Sequence, residues 1–305
     1  MDIYLHHYPA SLFSEKVRLL LGYLGLTWNS VVIPSIMPRP LLMPLSGGYR
    51  RTPVLQIGAN VYCDTKIISR ALARHCGNGE LYSHGFTAHR VADWADTQLF
   101  QVTVALNFSP KAVAAMMGGF PPEEAAAFQK DRAQLTQGAS ITSFSADAAT
   151  AYLRHYLEEF NGGLGEGFLF GSRPSIADFS VYHCLWFVNN NRTNAPLLDA
   201  YGNVRVWMDE MAAFGHGRVE DSTGEAALAA AKAATPQLPA IVNDLPGGFS
   251  LGQEVDVAPV DYGKIPVRGR LAAWSAEEVV IEREAPETGL VMVHFPAPGF
   301  EVRQA

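Results

Sequence analysis

Ser11-Leu12-Phe13-Ser14-Glu15-Lys16-Val17-Arg18 stands where a short apolar strand over residues 2–6 gives way to a helix. Val17, Leu20, Leu21 and Leu24 follow at helical spacing, and Gly25 supplies a left-handed stop. Alone, the run is a strand-to-helix junction in which Ser11 or Ser14 caps the helix. Two later stretches give it a larger meaning: Arg51-Thr52-Pro53-Val54-Leu55, and Asp64-Thr65 opening a second helix.

Around these stretches, residues 1–82 read as a small α/β domain. Residues 28–33 are apolar and β-branched enough for a second strand. Pro34, Pro38, Pro40, Pro44 and Gly47-Gly48 predict an irregular loop holding at most one short helix. Residues 54–57 and 61–62 read as strands about a Gly58 turn, and 65–75 as a helix closed near Gly77. Residues 86–243 lose the alternation and become helical. A long helix is expected over 87–113, a proline-led start at Pro121-Pro122-Glu123-Glu124, and further helices over 148–160, 203–214 and 225–234. Ser175 and Asp178 have capping-box spacing. After the Pro246-Gly247-Gly248 turn, Val255, Val257, Val267, Leu271, Val279-Val280-Ile281 and Val291-Met292-Val293 mark a small β unit over 250–305. It is marginal alone at that size and is expected to pack on the helical domain.

The 305 residues suffice for two or three domains, and the net charge of −7 leaves no basic footprint for nucleic acid. The start has no basic-then-apolar signal, and no 18-residue apolar run predicts a membrane span. Three cysteines, Cys63, Cys76 and Cys184, are too few and odd in number for a disulfide framework, so a reducing cytoplasm is the expected compartment.

The three stretches together suggest a thiol-handling fold with serines in place of a redox cysteine pair. A helix N-terminus stabilises a nearby anion by about 0.3–1 kcal/mol. A serine hydroxyl is too weakly acidic to become a nucleophile there, whereas a bound thiol, with a free pKa of about 8.5, can be lowered. Ser11 therefore either caps its helix or donates a hydrogen bond to a substrate thiolate. Pro53 either sits on an edge strand or, if cis, exposes the Thr52 backbone to an extended ligand. Asp64 and Thr65 either cap the second helix or hold the ammonium and carboxylate of an amino-acid group. His6 and His7 adjoin on a strand, one expected buried and the other exposed. His183 and Cys184 read as packing residues, and no metal is expected. The glycines at 162–167 lack the Lys-Ser/Thr of a phosphate loop, and no Gly-x-Ser-x-Gly elbow supports a serine hydrolase.

Over residues 1–240 the chain resembles the cytosolic glutathione transferases. The resemblance rests on Tyr8-Pro9-Ala10-Ser11-Leu12-Phe13-Ser14-Glu15-Lys16-Val17-Arg18, Arg51-Thr52-Pro53-Val54-Leu55, Tyr62-Cys63-Asp64-Thr65 and Gly171-Ser172-Arg173-Pro174-Ser175-Ile176-Ala177-Asp178-Phe179, in that order. It implies an α/β thioredoxin-like N-terminal domain (1–82), an all-α C-terminal domain (86–243) and, outside the family pattern, a small β-rich extension (250–305). It implies a homodimeric, cytoplasmic transferase with glutathione as co-substrate, Ser11 activating the thiol, Thr52 and cis Pro53 at the cysteinyl backbone, and Asp64 and Thr65 at the γ-glutamyl end. The acceptor, a small apolar electrophile, would meet Trp94, Phe100, Val104 and Phe108, with Tyr182 and Trp186 as further candidates. Leu12 stands where many relatives carry proline, Asp64-Thr65 replaces the commoner acidic-residue-serine pair, and Tyr8 and Ser14 are rival thiol contacts. Serine favours conjugation or isomerisation over disulfide exchange. A noncatalytic binding or assembly module, with the extension as its distinctive surface, is the alternative.

Overall fold

The computed structural model describes residues 1–117, 121–238 and 244–305; the expected domain end at residue 243 lies outside them. β1 (Ile3–His7), α1 (Leu12–Tyr23), β2 (Thr27–Val32), the short α2 (Met43–Ser46), β3 (Val54–Ile57), β4 (Asn60–Cys63) and α3 (Thr65–Cys76) form the thioredoxin-like unit. β1 runs parallel to β2 and antiparallel to β3, which turns into antiparallel β4. Ile3, Leu5, Leu55 and Ile57 point to one face, where α1, α3 and the helical domain bury them; Tyr4, Val54, Val61 and Cys63 point to the other.

The helical region comprises α4 (Gly85–Trp94), α5 (Phe100–Asn107), α6 (Pro110–Met117), α7 (Pro122–Leu135), α8 (Ala146–Gly163), α9 (Ile176–Asn189) and α10 (Gly202–Ala212). The single helix expected over 87–113 is thus three pieces. A π-helical turn at Ala95–Leu99 joins α4 to α5, and a break before Pro110, whose ring cannot continue a helix, separates α6. α9 is buried almost all round, as its continuous apolar sequence requires. Its capping box forms: Asp178 Oδ2 accepts from the Ser175 N–H (2.8 Å) and hydroxyl (2.9 Å), and Oδ1 accepts from the Leu169 N–H (2.8 Å) and Trp207 Nε1 (3.1 Å).

Residues 86–243 are not helical throughout. β5 (Arg218–Ser222) returns to pair parallel with β2, and α11 (Gly224–Ala233) packs beneath the N-terminal sheet. The final unit, β6 (Glu254–Pro259), β7 (Val267–Trp274), β8 (Glu278–Ala285), β9 (Gly289–Pro296) and β10 (Phe300–Gln304), departs further from expectation. Its body packs on the thioredoxin-like domain, not on the helical one. β9 pairs parallel with β4, Asn60 opposite Met292 and Tyr62 opposite His294, giving one ten-stranded sheet in the order β10-β6-β7-β8-β9-β4-β3-β1-β2-β5. The reason is an open edge. β4 would otherwise expose its backbone N–H and C=O groups, and the extension covers them. Val255, Val257, Val267, Leu271, Val279, Ile281, Val291, Val293 and Phe295 then extend the second core.

The same covering explains the histidines. His6 and His7 do point to opposite faces, yet both are buried because both faces are covered. His6 Nε2 pairs with Gln56 Oε1 (3.2 Å), and His7 sits between Ser30 Oγ (3.0 Å) and Arg18 Nη1 (3.1 Å). A second buried group lies at the seam, where Glu278 Oε1 meets His294 Nδ1 (2.7 Å) and Glu278 Oε2 accepts from Arg74 (2.8 Å).

Candidate functional site

The Tyr8–Ser11 turn, closed by the Ser11 N–H donating to Tyr8 O (3.1 Å), sets Ser11 as the N-cap of α1. Its Oγ accepts from the Ser14 N–H (3.2 Å), which leaves the hydroxyl proton free to donate elsewhere. Ser11, Tyr8, Leu12, Phe100, Val104 and Phe108 all border a largely apolar cavity of about 760 Å³. Ser14 is fully buried and is not among the lining residues.

Beside it is a smaller cleft of about 110 Å³, more polar than the cavity and bordered by Thr52, Pro53, Asp64 and Thr65. The Thr52–Pro53 peptide is cis. Arg39, buried in the loop before α2, donates to Arg50 O and Thr52 Oγ1 (both 2.9 Å) and so fixes the Thr52 turn. Asp64 caps α3, accepting from the Lys66 N–H (3.0 Å), with a backbone φ of 93° that a side chain rarely adopts. Burial raises its carboxyl pKa, opposed by Arg51, whose Nη1 lies 3.6 Å from Oδ2.

Ser11 on one side and Thr52, Pro53, Asp64 and Thr65 on the other thus border two adjoining spaces. Phe100, Val104 and Phe108 fall in the apolar cavity. Trp94 lines a different cavity, with Tyr156 and Leu153, while Tyr182 packs on Trp207 and Trp186 packs against the main core. Cys63 is buried in the second core, where burial pushes its thiol up, as a packed residue would be. Among the described residues, no group of three or more His, Cys, Asp or Glu is arranged to hold a metal.

Several site residues escaped the sequence reading. Asp96, on the π-helical turn, borders the polar cleft and bonds to buried Lys16 (2.6 Å) and His183 (3.0 Å). Burial would raise its carboxyl, but those two partners outweigh it and hold it well below the usual carboxylate range. Phe128 and Arg132 of α7 and Phe187 of α9 complete the apolar cavity. Asp261 and Tyr262, from the loop between β6 and β7, reach the cleft and cover Arg51. Arg51 Nη2 donates to Asp261 Oδ1 and to Tyr262 O (2.5 Å), and its guanidinium lies 3.9 Å from the Tyr262 ring centre. The π-turn had no sequence signal beyond helical continuity, and the loop's approach spans some 210 residues of chain.

Residues 5–78 match the family model for the glutathione S-transferase N-terminal domain, and residues 143–210 that for the C-terminal domain. No curated protein matches. Among solved structures, a GST-like protein from Pseudomonas syringae is 40% identical, with a TM-score of 0.81 over 99% of this chain and 100% of its own. FzlA from C. crescentus (20% identity, TM-score 0.52, 70% of this chain and 88% of its own) shares the fold. So does a glutathione S-transferase from Rhodospirillum rubrum F11 (14% identity, TM-score 0.52, 69% and 88%). The Pseudomonas likeness runs through the C-terminal β unit as well as both domains, and on its strength the chain belongs to the glutathione S-transferase family.

Proposed function

We propose that the protein binds glutathione across the polar cleft and directs its thiolate to an apolar electrophile in the adjoining cavity. The observation that carries this reading is the adjacency of the two spaces, with Ser11 on the apolar side and Thr52, Pro53, Asp64 and Thr65 on the polar side. Asp64 meets the γ-glutamyl ammonium and Thr65 the carboxylate at the N-terminus of α3. The Thr52 backbone pairs with the cysteinyl unit. The Ser11 hydroxyl donates to the sulfur, favouring the thiolate, and the α1 N-terminus adds to that preference. The cavity of about 760 Å³ lies within the usual range of about 300–1,000 Å³ for small-molecule sites and holds the acceptor beside the sulfur. Conjugation or isomerisation follows from a serine that forms no mixed disulfide. A homodimer in the cytoplasm is the assembly and compartment we infer from the family.

One observation favours a noncatalytic binding module as the second reading: the cleft of about 110 Å³ is small beside those same ligand sites. Titration calorimetry with glutathione, followed by turnover with aromatic electrophiles, separates the two. Saturable binding with turnover supports the transferase, and no binding at millimolar glutathione refutes it.

A further inference from the structure

Among the described residues, Tyr262 alone borders both spaces. Its ring stacks on Phe100 (centroids 6.2 Å, 29°), and Phe100 packs on Phe13 (4.9 Å), so three aromatic rings stand in a row at the junction. On the polar side, Arg51 holds the segment by three contacts: the Asp261 carboxylate, the Tyr262 carbonyl and the Tyr262 ring. On the helical side, the Ser140 N–H donates to Asp261 O (2.7 Å), the Gly263 N–H to Leu135 O (2.9 Å) and Lys264 Nζ to Ser140 Oγ (2.8 Å). Gly263 has φ +59°, a left-handed conformation that favours glycine, and a Cβ there would press on Leu135 Cδ1 at 3.1 Å, so glycine suits the close approach to α7. The segment is therefore tied to both domains, and its ring is held in place. Burial pushes the Tyr262 phenol up to about 12, with Arg51 opposing and Asp261 and Asp64 adding to the rise, so the side chain is a neutral wall at physiological pH.

We propose that Tyr262 is a specificity-determining residue, a partition between the polar cleft and the apolar cavity that limits the bulk an S-linked group can carry past the sulfur. This rests on the glutathione reading above. The C-terminal unit thereby contributes to substrate choice as well as covering a sheet edge. Discrimination by shape in an apolar pocket is typically about 10–200-fold per group of methylene size. A ring removed from the partition should relax selectivity by at least the lower figure.

The test compares the full-length protein with Tyr262→Ala, Tyr262→Phe and Tyr262→Trp. Titration calorimetry measures the affinities of S-benzylglutathione and S-(naphthylmethyl)glutathione. Their ratio should move about 10-fold or more toward the larger conjugate in Tyr262→Ala, and away from it in Tyr262→Trp. Tyr262→Phe should leave the ratio within about twofold, because the ring and not the hydroxyl is the wall. Opposite shifts in the two size variants cannot arise from a shared loss of folding. Glutathione binding with a ratio unmoved in both Tyr262→Ala and Tyr262→Trp overturns the partition alone. Absence of glutathione binding in the unaltered protein overturns the partition together with the site reading on which it rests.

Discussion

Replacing Ser11 separates its cap on α1 from the thiol contact proposed for the same oxygen. As an acceptor it caps α1 through the Ser14 N–H at 3.2 Å, and its loss in Ser11→Ala should lower stability by about 1 kcal/mol. As the proposed donor to glutathione sulfur it would make a charge-assisted hydrogen bond, typically about 1.5–3 kcal/mol. At 1.36 kcal/mol per pKa unit, that corresponds to about 1–2 units of thiol acidification, which Ser11→Ala should forfeit. Ser11→Asp divides the effects. Aspartate is as good an N-cap as serine, so stability should hold within about 0.5 kcal/mol. An ionised carboxylate, however, cannot donate and repels a thiolate, so the bound thiol should titrate at or above its free value of about 8.5. Urea unfolding reads the first effect, and the ultraviolet absorbance of the bound thiolate against pH reads the second. A bound-thiol pKa that stays depressed in Ser11→Asp would refute the assignment of Ser11 to the sulfur.

Asp64→Gly should relieve a backbone conformation costing about 1–3 kcal/mol while losing only a few tenths as a cap, so the urea midpoint should rise. Glutathione affinity should fall about 10- to 150-fold by calorimetry for loss of the ionic hydrogen bond proposed between Asp64 and the γ-glutamyl ammonium. Asp178→Ala strands four donors in the core of the helical domain and should cost more than about 4 kcal/mol, with little folded protein recovered on expression. His6 and His7 are both held down to about 4, chiefly by burial, so their contribution is full above the unfolded value of about 6.5 and is lost as pH falls through the folded one. The thermal midpoint should drop between pH 6.5 and 4, and His6→Gln should flatten that slope; an equally steep slope in the variant would count against His6 as a contributor.

The thioredoxin-like unit was legible because each element signals itself locally. The short apolar run of β1, helical spacing after Ser11 and the Asp64-Thr65 start all lie within one or two turns of the structure they predict. The capping box at Ser175 and Asp178 was readable for the same reason. The packing of residues 250–305 was not. Their apolar alternation announces strands, but an open β4 edge and an exposed helical surface offer equally apolar partners, and nothing in the local pattern chooses between them. Arg51 shows the limit most clearly. It was visible as part of a strand-entry motif, while its partners Asp261 and Tyr262 lie in a turn with no periodicity of their own. Aromatic residues on one long helix also read alike, although Phe100 borders the cavity with Ser11 and Trp94 packs on Tyr156, since residue type alone does not say which face meets a cavity.

The parallel pairing of β4 with β9 also sets a schedule for synthesis. About 225 residues separate the two strands, so at about 5–20 residues per second the edge of β4 waits roughly 10–45 s on the ribosome for its partner. During that interval the nascent N-terminal unit carries an unpaired strand, and its second core around Val54, Val61 and Cys63 lacks the part that Val255 to Phe295 supply. A chain stalled or cleaved before residue 289 is therefore left with the surface most prone to cross-chain strand pairing, and it is the completed chain that closes it.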